Sequence, residues 1–210
     1  KNRINITGWI SSQNSGAISL SADGDIVAFG RDRGETDNKV IILQYAENTW
    51  TQIGSGIGIE KYNDRVIYDE GSARPNLSLS ADGDIIAIGG AVNSGGYNHF
   101  VEEEWDTVRV YKNINNNWTQ LGGDIVGEAN QTTPGQNHSS NPPWRVSSGS
   151  RISLSSDGTV IAVGIPSNDG NGAESGHVRI YQNINNNWIQ VGSDIDGEVG
   201  DRLGWRVSLS

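Results

Sequence analysis

The strongest constraint on this chain is that one pattern is written in it three times. The run Leu-Ser-Leu-Ser-Ala-Asp-Gly-Asp-Ile-Ile-Ala-Ile-Gly at 77–89 is echoed at 18–30 and at 152–164. A second block, opening on Val108, Arg109, Val110 and Tyr111 and closing through an Asn-rich stretch on Trp118, returns almost unchanged at 178–188 and aligns without gaps on 40–50. Val and Trp stand ten positions apart in every copy, and Leu20, Leu79, Leu154 and Leu209 are separated by 59, 75 and 55 residues. A chain with this period builds one supersecondary unit repeatedly and buries its core between neighbouring copies.

Each unit reads as four strands. Residues 152–155 alternate apolar and small polar side chains, as a half-buried strand does. Asp157 and Gly158, like Asp23–Gly24 and Asp82–Gly83, suit a tight two-residue hairpin, because both residue types tolerate positive φ. Strands at 160–163 and 178–181 follow, and Asn-rich residues 183–187 turn the chain into a fourth at 188–191. Val108 and Val110 are expected inward and Arg109 outward, with Val178, Ile180 and Arg179 repeating that pattern. Composition agrees, since 28 Gly, only 5 Pro, and Trp (7) exceeding Phe (2) fit short strands and tight turns. The expected class is all-β, built of β-propeller-type four-stranded antiparallel blades at 18–54, 77–122 and 152–192, with 203–210 as the first strand of a fourth.

Charge and composition exclude several functions. With 15 Lys+Arg against 25 Asp+Glu the net charge is −10, which disfavours nucleic acid and anionic membranes as partners. No apolar run approaches the roughly 18 residues of a membrane span, so no membrane insertion is expected. The absence of Cys removes disulfides, thiolate catalysis and Cys-based zinc sites. The chain opens on Lys1 and holds no Met, as a processed product or a slice of something longer would.

Leu203-Gly204-Trp205-Arg206-Val207 before a first strand, and Gly164-Ile165-Pro166 at the end of a second, resemble the Phe-Gly and Gly-Ala-Pro landmarks of FG-GAP repeats, the blades of integrin-α-type β-propellers. The Ser-Leu-Ser-Ala-Asp-Gly and Asn-Trp-Thr-Gln-Leu-Gly blocks resemble a diverged branch of that family, found in large surface or secreted repeat proteins. The resemblance implies an extracellular or surface location and a structural or adhesive role. The family's Asp-x-Asp-x-Asp-Gly calcium loop is here reduced to Asp-Gly, and a lone carboxylate at Asp23, Asp82 or Asp157 cannot supply the six to eight oxygens that calcium takes. No metal and no cofactor is expected.

Strand reversal places the turns between strands 1–2 and 3–4 on one side and the remaining links on the other. The first set keeps its length, whereas Asp-to-Val distances across the 2–3 links are 17, 26 and 21 residues, and Trp-to-Leu distances across the blade links are 29, 36 and 21. Variable loops on a regular scaffold are where recognition resides. Tyr97, His99, Phe100 and Trp105, with Trp144, are therefore the candidate ligand-binding residues, although exposed loop aromatics also serve simply to cap blade edges. Trp50, Trp118 and Trp188 recur at one blade position and are read as packing between blades; Trp9, Trp144 and Trp205, each preceding a first strand, are read the same way. Glu102, Glu103 and Glu104, the trio Asp32, Glu35 and Asp37, and the set Asn168, Asp169, Asn171 and Glu174 are oxygen-rich, but match no established ligand loop.

Nothing points to catalysis. His99, His138 and His177 show no metal-ligand spacing, and Gly-x-Ser-x-Gly is absent. Sequons at Asn5, Asn76, Asn117, Asn130 and Asn137 are glycosylation candidates if the protein is secreted by a eukaryote. The chain is thus read as a non-enzymatic extracellular structural or adhesive module, a candidate subunit of a surface filament or fibre with 204–210 at the junction, and a carbohydrate- or protein-binding, lectin-like propeller is the alternative. Its expected partners are copies of itself or neighbouring repeats, and then glycans or cell-surface proteins.

Overall fold

The computed structural model describes residues 17–31, 39–58, 76–90, 107–126, 151–166 and 168–210. The first blade comprises β1 (Ile18–Leu20), β2 (Ile26–Arg31), β3 (Lys39–Ala46), β4 (Thr49–Gln52) and β5 (Ile57–Gly58). The second comprises β6 (Asn76–Leu79), β7 (Ile85–Gly90), β8 (Thr107–Ile114), β9 (Asn117–Gln120) and β10 (Ile125–Val126). The third comprises β11 (Ile152–Leu154), β12 (Val160–Ile165), β13 (His177–Ile184), β14 (Asn187–Gln190) and β15 (Ile195–Asp196). Within each blade all pairings are antiparallel, so the all-β, blade-type reading is what the chain adopts. The outer strand comes in two pieces, one on each half of the long third strand: β4 and β5 both pair with β3, β9 and β10 with β8, and β14 and β15 with β13. Left-handed glycines sit in the gaps, namely Gly54 and Gly56, Gly122, and Gly192. These interrupt the strand pattern, which is why the second piece escapes a periodicity argument.

The two turn types separate by chemistry. Between β8 and β9, Asn115 and Asn116 both take positive φ, and Ile114 pairs with Asn117, a two-residue hairpin; Asn185–Asn186 and Glu47–Asn48 repeat it. The Asp-Gly turn is longer than expected. Four residues, 22–25, separate Ser21 from Ile26, whose carbonyl accepts the Ser21 N–H at 2.9 Å. Asp23 Oδ1 staples the loop, accepting the Ser21 hydroxyl (2.6 Å) and the Asp25 N–H (3.0 Å), while Ser21 Oγ accepts the Ile26 N–H. Ser80 with Asp82, and Ser155 with Asp157, reproduce the staple. These hydrogen bonds, the serine first, hold the Asp23 and Asp157 carboxyls below their ordinary range. Both short turns lie at one end of each sheet; the 2–3 link leaves from the other, where Gly90 pairs with Thr107.

Blades stack face to face. Ile26, Ala28, Val40, Ile42, Ile53 and Ile57 of the first blade pack on Leu77, Leu79, Ile86 and Ile88 of the second. Ile85, Ala87, Val108, Val110 and Ile125 of the second pack on Ile152, Leu154, Ile161, Val163 and Ile165 of the third. Four contacts recur at each junction. The Leu79 N–H donates to Ser19 Oγ and the Leu154 N–H to Ser78 Oγ, at 3.0 and 2.9 Å. The Ala22 and Ala81 N–H groups donate to the carbonyls of Ala81 and Ser156. The indole N–H of Trp118 donates to the Ile53 carbonyl (3.1 Å), and that of Trp188 to the Leu121 carbonyl (2.8 Å). Finally, these indole rings lie against Gly54 and Gly122, leaving no room there for a Cβ. Trp118 and Trp188 are thus the inter-blade residues they were expected to be, whereas Trp50 packs over Val27, Phe29, Ile41 and Leu43 and meets the Tyr45 ring at 5.2 Å.

Gly122 and Gly192 share a backbone conformation, at φ +77° and +75°, but only Gly122 has a tryptophan over it. Gly192→Ala should therefore cost only the left-handed penalty, about 1 kcal/mol, and Gly122→Ala that penalty plus about 1–3 kcal/mol of overpacking. Urea denaturation of the two variants measures the difference.

Candidate interaction surface

The third blade ends in a face that the other two do not show. Ile57 and Ile125, at equivalent positions, are each 6% exposed, and their counterpart Ile195 is 53% exposed. Ile53 is buried at 6%, but its counterpart Val191 is exposed at 47%. Val40 and Val108 are buried, while Val178 is only half-buried. The expected burial pattern accordingly holds in the second blade, with Val108 and Val110 buried and Arg109 partly exposed, and inverts in the third, where Arg179 is buried and Val178 and Ile180 are half-buried. The side-chain alternation is as anticipated, but Arg179 faces the second blade and the valine side faces outward. Val191 and Ile195 are thus exposed apolar side chains on this trailing face, and Val199 and Trp205 are exposed elsewhere in the segment that follows it.

Residues 207–210 already lie at the inner-strand position of a further blade. The Leu209 N–H donates to Ser153 Oγ at 3.0 Å, the third occurrence of the bond that joins β6 to β1 and β11 to β6. The approach to this segment is pinned to the 2–3 link of the third blade. Arg202 forms a two-pronged ion pair with Glu174, Leu203 N–H donates to the Ser175 carbonyl, and Asn171 Nδ2 donates to the Gly197 carbonyl. Gly204, at φ +90°, presses backbone against backbone on Gly164. Trp205 is not the packed residue the sequence suggested: it is 53% exposed, its ring lying under the Arg151 guanidinium at 3.8 Å.

The oxygen-rich set in this link does not converge. Asn168 Oδ1 accepts the Gly170 N–H, Asp169 Oδ1 accepts the Glu174 N–H, Asn171 donates, and Glu174 pairs with Arg202. Tyr97, His99, Phe100, Trp105 and Trp144, with Trp9, Asp32, Glu35, Asp37 and Glu102 to Glu104, lie outside the described residues, as do His138, Asn5, Asn130 and Asn137. Of the other sequons, Asn76 opens β6 half-buried and Asn117 is exposed at the start of β9.

One charged network was missed in the sequence. Arg179 grips Asp194 with Nε at 2.8 Å and an Nη at 2.6 Å, Gln190 donates to the same carboxylate at 2.7 Å, and His177 Nδ1 lies 3.6 Å away. The Arg179 bonds, then Gln190, hold the Asp194 carboxyl below its ordinary value of 3.8 against the opposing effect of burial. Arg109, Gln120 and Asp124 repeat the arrangement in the second blade. The signal was the shared spacing, Arg fifteen and Gln four residues before Asp. In the first blade Ile41 and Gly56 stand at the Arg and Asp positions, the Ile41 Cδ1 lying 3.0 Å from where a Cβ on Gly56 would be. His177, Asp194 and Asp196 bring potential ligand atoms within 4.8 Å of one another, but Arg179 already supplies the positive charge beside Asp194.

No protein-family model matches the chain. No curated protein matches it either. Among solved structures, the chain is similar to a candidate 6-phosphogluconolactonase from Bacteroides fragilis (14% identity, TM-score 0.47, covering 88% of this chain and 39% of that one). It is also similar to TolB from Acinetobacter baumannii (16%, TM-score 0.41, covering 86% and 31%) and to a prolyl endopeptidase (16%, TM-score 0.40, covering 89% and 22%). The chain therefore spans well under half the length of each of these proteins.

Asp194→Asn should lower stability by about 2 kcal/mol at neutral pH, because buried Arg179 loses its charged acceptor. A depressed folded pKa contributes stability above the unfolded value and loses it as pH falls through the folded one. Urea midpoints of wild type and variant should therefore differ at pH 7 and converge as the pH is lowered well below 3.8.

Proposed function

We propose that this chain is a non-enzymatic, extracellular structural or adhesive repeat module of FG-GAP-like type. The observation that carries the reading is the contact between Gly164 and Gly204. A Cβ on Gly164 would lie 2.2 Å from the Gly204 carbonyl oxygen, and one on Gly204 would lie 2.6 Å from the His177 carbonyl oxygen and 2.9 Å from Gly164 Cα. The two sequence landmarks that resemble FG-GAP repeats thus meet in space, the glycine that ends a second strand against the glycine that precedes the next first strand. Both glycines are required by backbone approach, which gives the motif a physical reason in this chain.

A structural role also fits the way the described polar groups are engaged. Asp23, Asp82 and Asp157 close turns, Asp124 and Asp194 pair with arginines, and Glu174 ties a loop to a blade link. These are groups that hold a scaffold in shape. Function then belongs to the surfaces the scaffold presents.

Beads coated with the protein should bind to one another or to cell surfaces, while a glycan array should remain blank; saturable binding of one glycan class would replace this reading with the lectin-like one. The motif contact has its own test. Gly204→Ala and Gly164→Ala should each lower stability by about 2 kcal/mol or more, measured by urea denaturation, and a neutral effect at both would remove the observation on which the reading rests.

A further inference from the structure

We propose that Asn171 is a site of spontaneous deamidation, and that its conversion to aspartate or isoaspartate unfastens the 2–3 link of the third blade from the segment that leads out of that blade. The inference is independent of the functional reading. Asn171-Gly172 is the only Asn-Gly step in the sequence, and the fold has a use for both residues. Gly172 stands at φ +116°, and a Cβ there would lie 2.5 Å from Val199 Cγ2, so the position stays bare and the approach to its backbone nitrogen stays open. Asn171 serves as a donor, its Nδ2 reaching the Gly197 carbonyl at 2.9 Å in the exit segment. The residue is exposed, so water reaches it.

The reaction needs only water. The Gly172 backbone nitrogen gives its proton to hydroxide and attacks Asn171 Cγ; the N–Cγ bond forms, the Cγ–Nδ2 bond breaks, and Nδ2 takes up a proton and leaves as ammonia. Water then opens the five-membered imide. Addition at Cγ leaves aspartate, whereas addition at the Asn171 main-chain carbonyl carbon leaves the chain running through the side chain as isoaspartate. Two hydrogen bonds restrain ring closure, Asn171 to Gly197 and the Gly172 N–H to the Asp169 carbonyl at 3.0 Å, so the step proceeds when the loop tip opens.

The product inverts the contact. A donor becomes a carboxylate oxygen set against the Gly197 carbonyl oxygen, with no proton between them. The two segments are already acidic, with Asp169 and Glu174 on the loop and Asp196, Glu198 and Asp201 on the exit side, and their one cation, Arg202, is paired with Glu174. The added charge therefore works against the backbone bonds that fasten the segments together. These are Gly200 N–H to the Ala173 carbonyl (3.0 Å), Arg202 N–H to that of Glu174 (2.9 Å) and Leu203 N–H to that of Ser175 (2.9 Å).

Incubating the folded, intact chain for several weeks at mildly alkaline pH in water enriched in heavy oxygen tests this. Mass spectrometry of the tryptic peptide 152–179 should show the amide-to-acid mass change together with the heavy-oxygen label, fragmentation should place both at 171, and aspartate and isoaspartate forms should separate by chromatography. Asn171→Gln, whose closure requires a six-membered ring, should stay unlabelled at 171. Hydrogen exchange at the Gly200, Arg202 and Leu203 amides should quicken about fivefold in the aged protein and in Asn171→Asp, the loss of one hydrogen bond, while the amides of β12 exchange as before. An Asn171 that stays unlabelled in the folded chain overturns the site, and a labelled chain whose three amides exchange at the original rate overturns the unfastening.

Discussion

The stacking of one described blade on the next depends on a tryptophan lying against a left-handed glycine of the blade before it. The glycine is necessary twice over, once because its φ near +75° is costly for any other residue and once because the indole ring occupies the space of a side chain. The same glycine stands where the outer strand divides in two, both pieces remaining paired with the third strand. With the indole N–H on a carbonyl of the preceding blade, the contact is polar at its tip and apolar over its area, which fixes rotation as well as distance. Burial of the isoleucines behind it, each worth about 1.5–3 kcal/mol, then follows from a stacking geometry already set.

The blade was legible because each of its devices is short-range. Alternation at 152–154, paired positive-φ residues at Asn185 and Asn186, and the Asp-Gly signature all act within a few residues, and a threefold repeat allows each to be checked against two copies. The site was less legible because its parts are far apart in sequence. Arg179 and Asp194 are joined only through a fourth strand that a glycine interrupts, and Trp205 was misplaced because its neighbour Arg151 belongs to another segment. The Asp-Gly turn was recognised but made too short, since the serine whose hydroxyl completes it, Ser21, was counted as strand.

Burial in a stacked array is a property of the neighbour as much as of the residue. Ile125 and Ile195 have the same local sequence position and the same pairing to the third strand, yet one is buried and the other half-exposed. Hydrophobic patterning reports the face a residue belongs to, and the presence of a next blade decides whether that face is dry.

The exchange of Arg and Asp for Ile41 and Gly56 in the first blade bears on how such arrays can change. Arginine introduced at 41 alone would meet a glycine that offers no charge, and aspartate introduced at 56 alone would crowd the Ile41 methyl. Either single step passes through a state worse than both ends, which is sign epistasis between two positions fifteen residues apart. Blades of near-identical outline are consequently not interchangeable parts, and recombination that shuffles them has its cleanest crossover points in the links between blades rather than within the third and fourth strands.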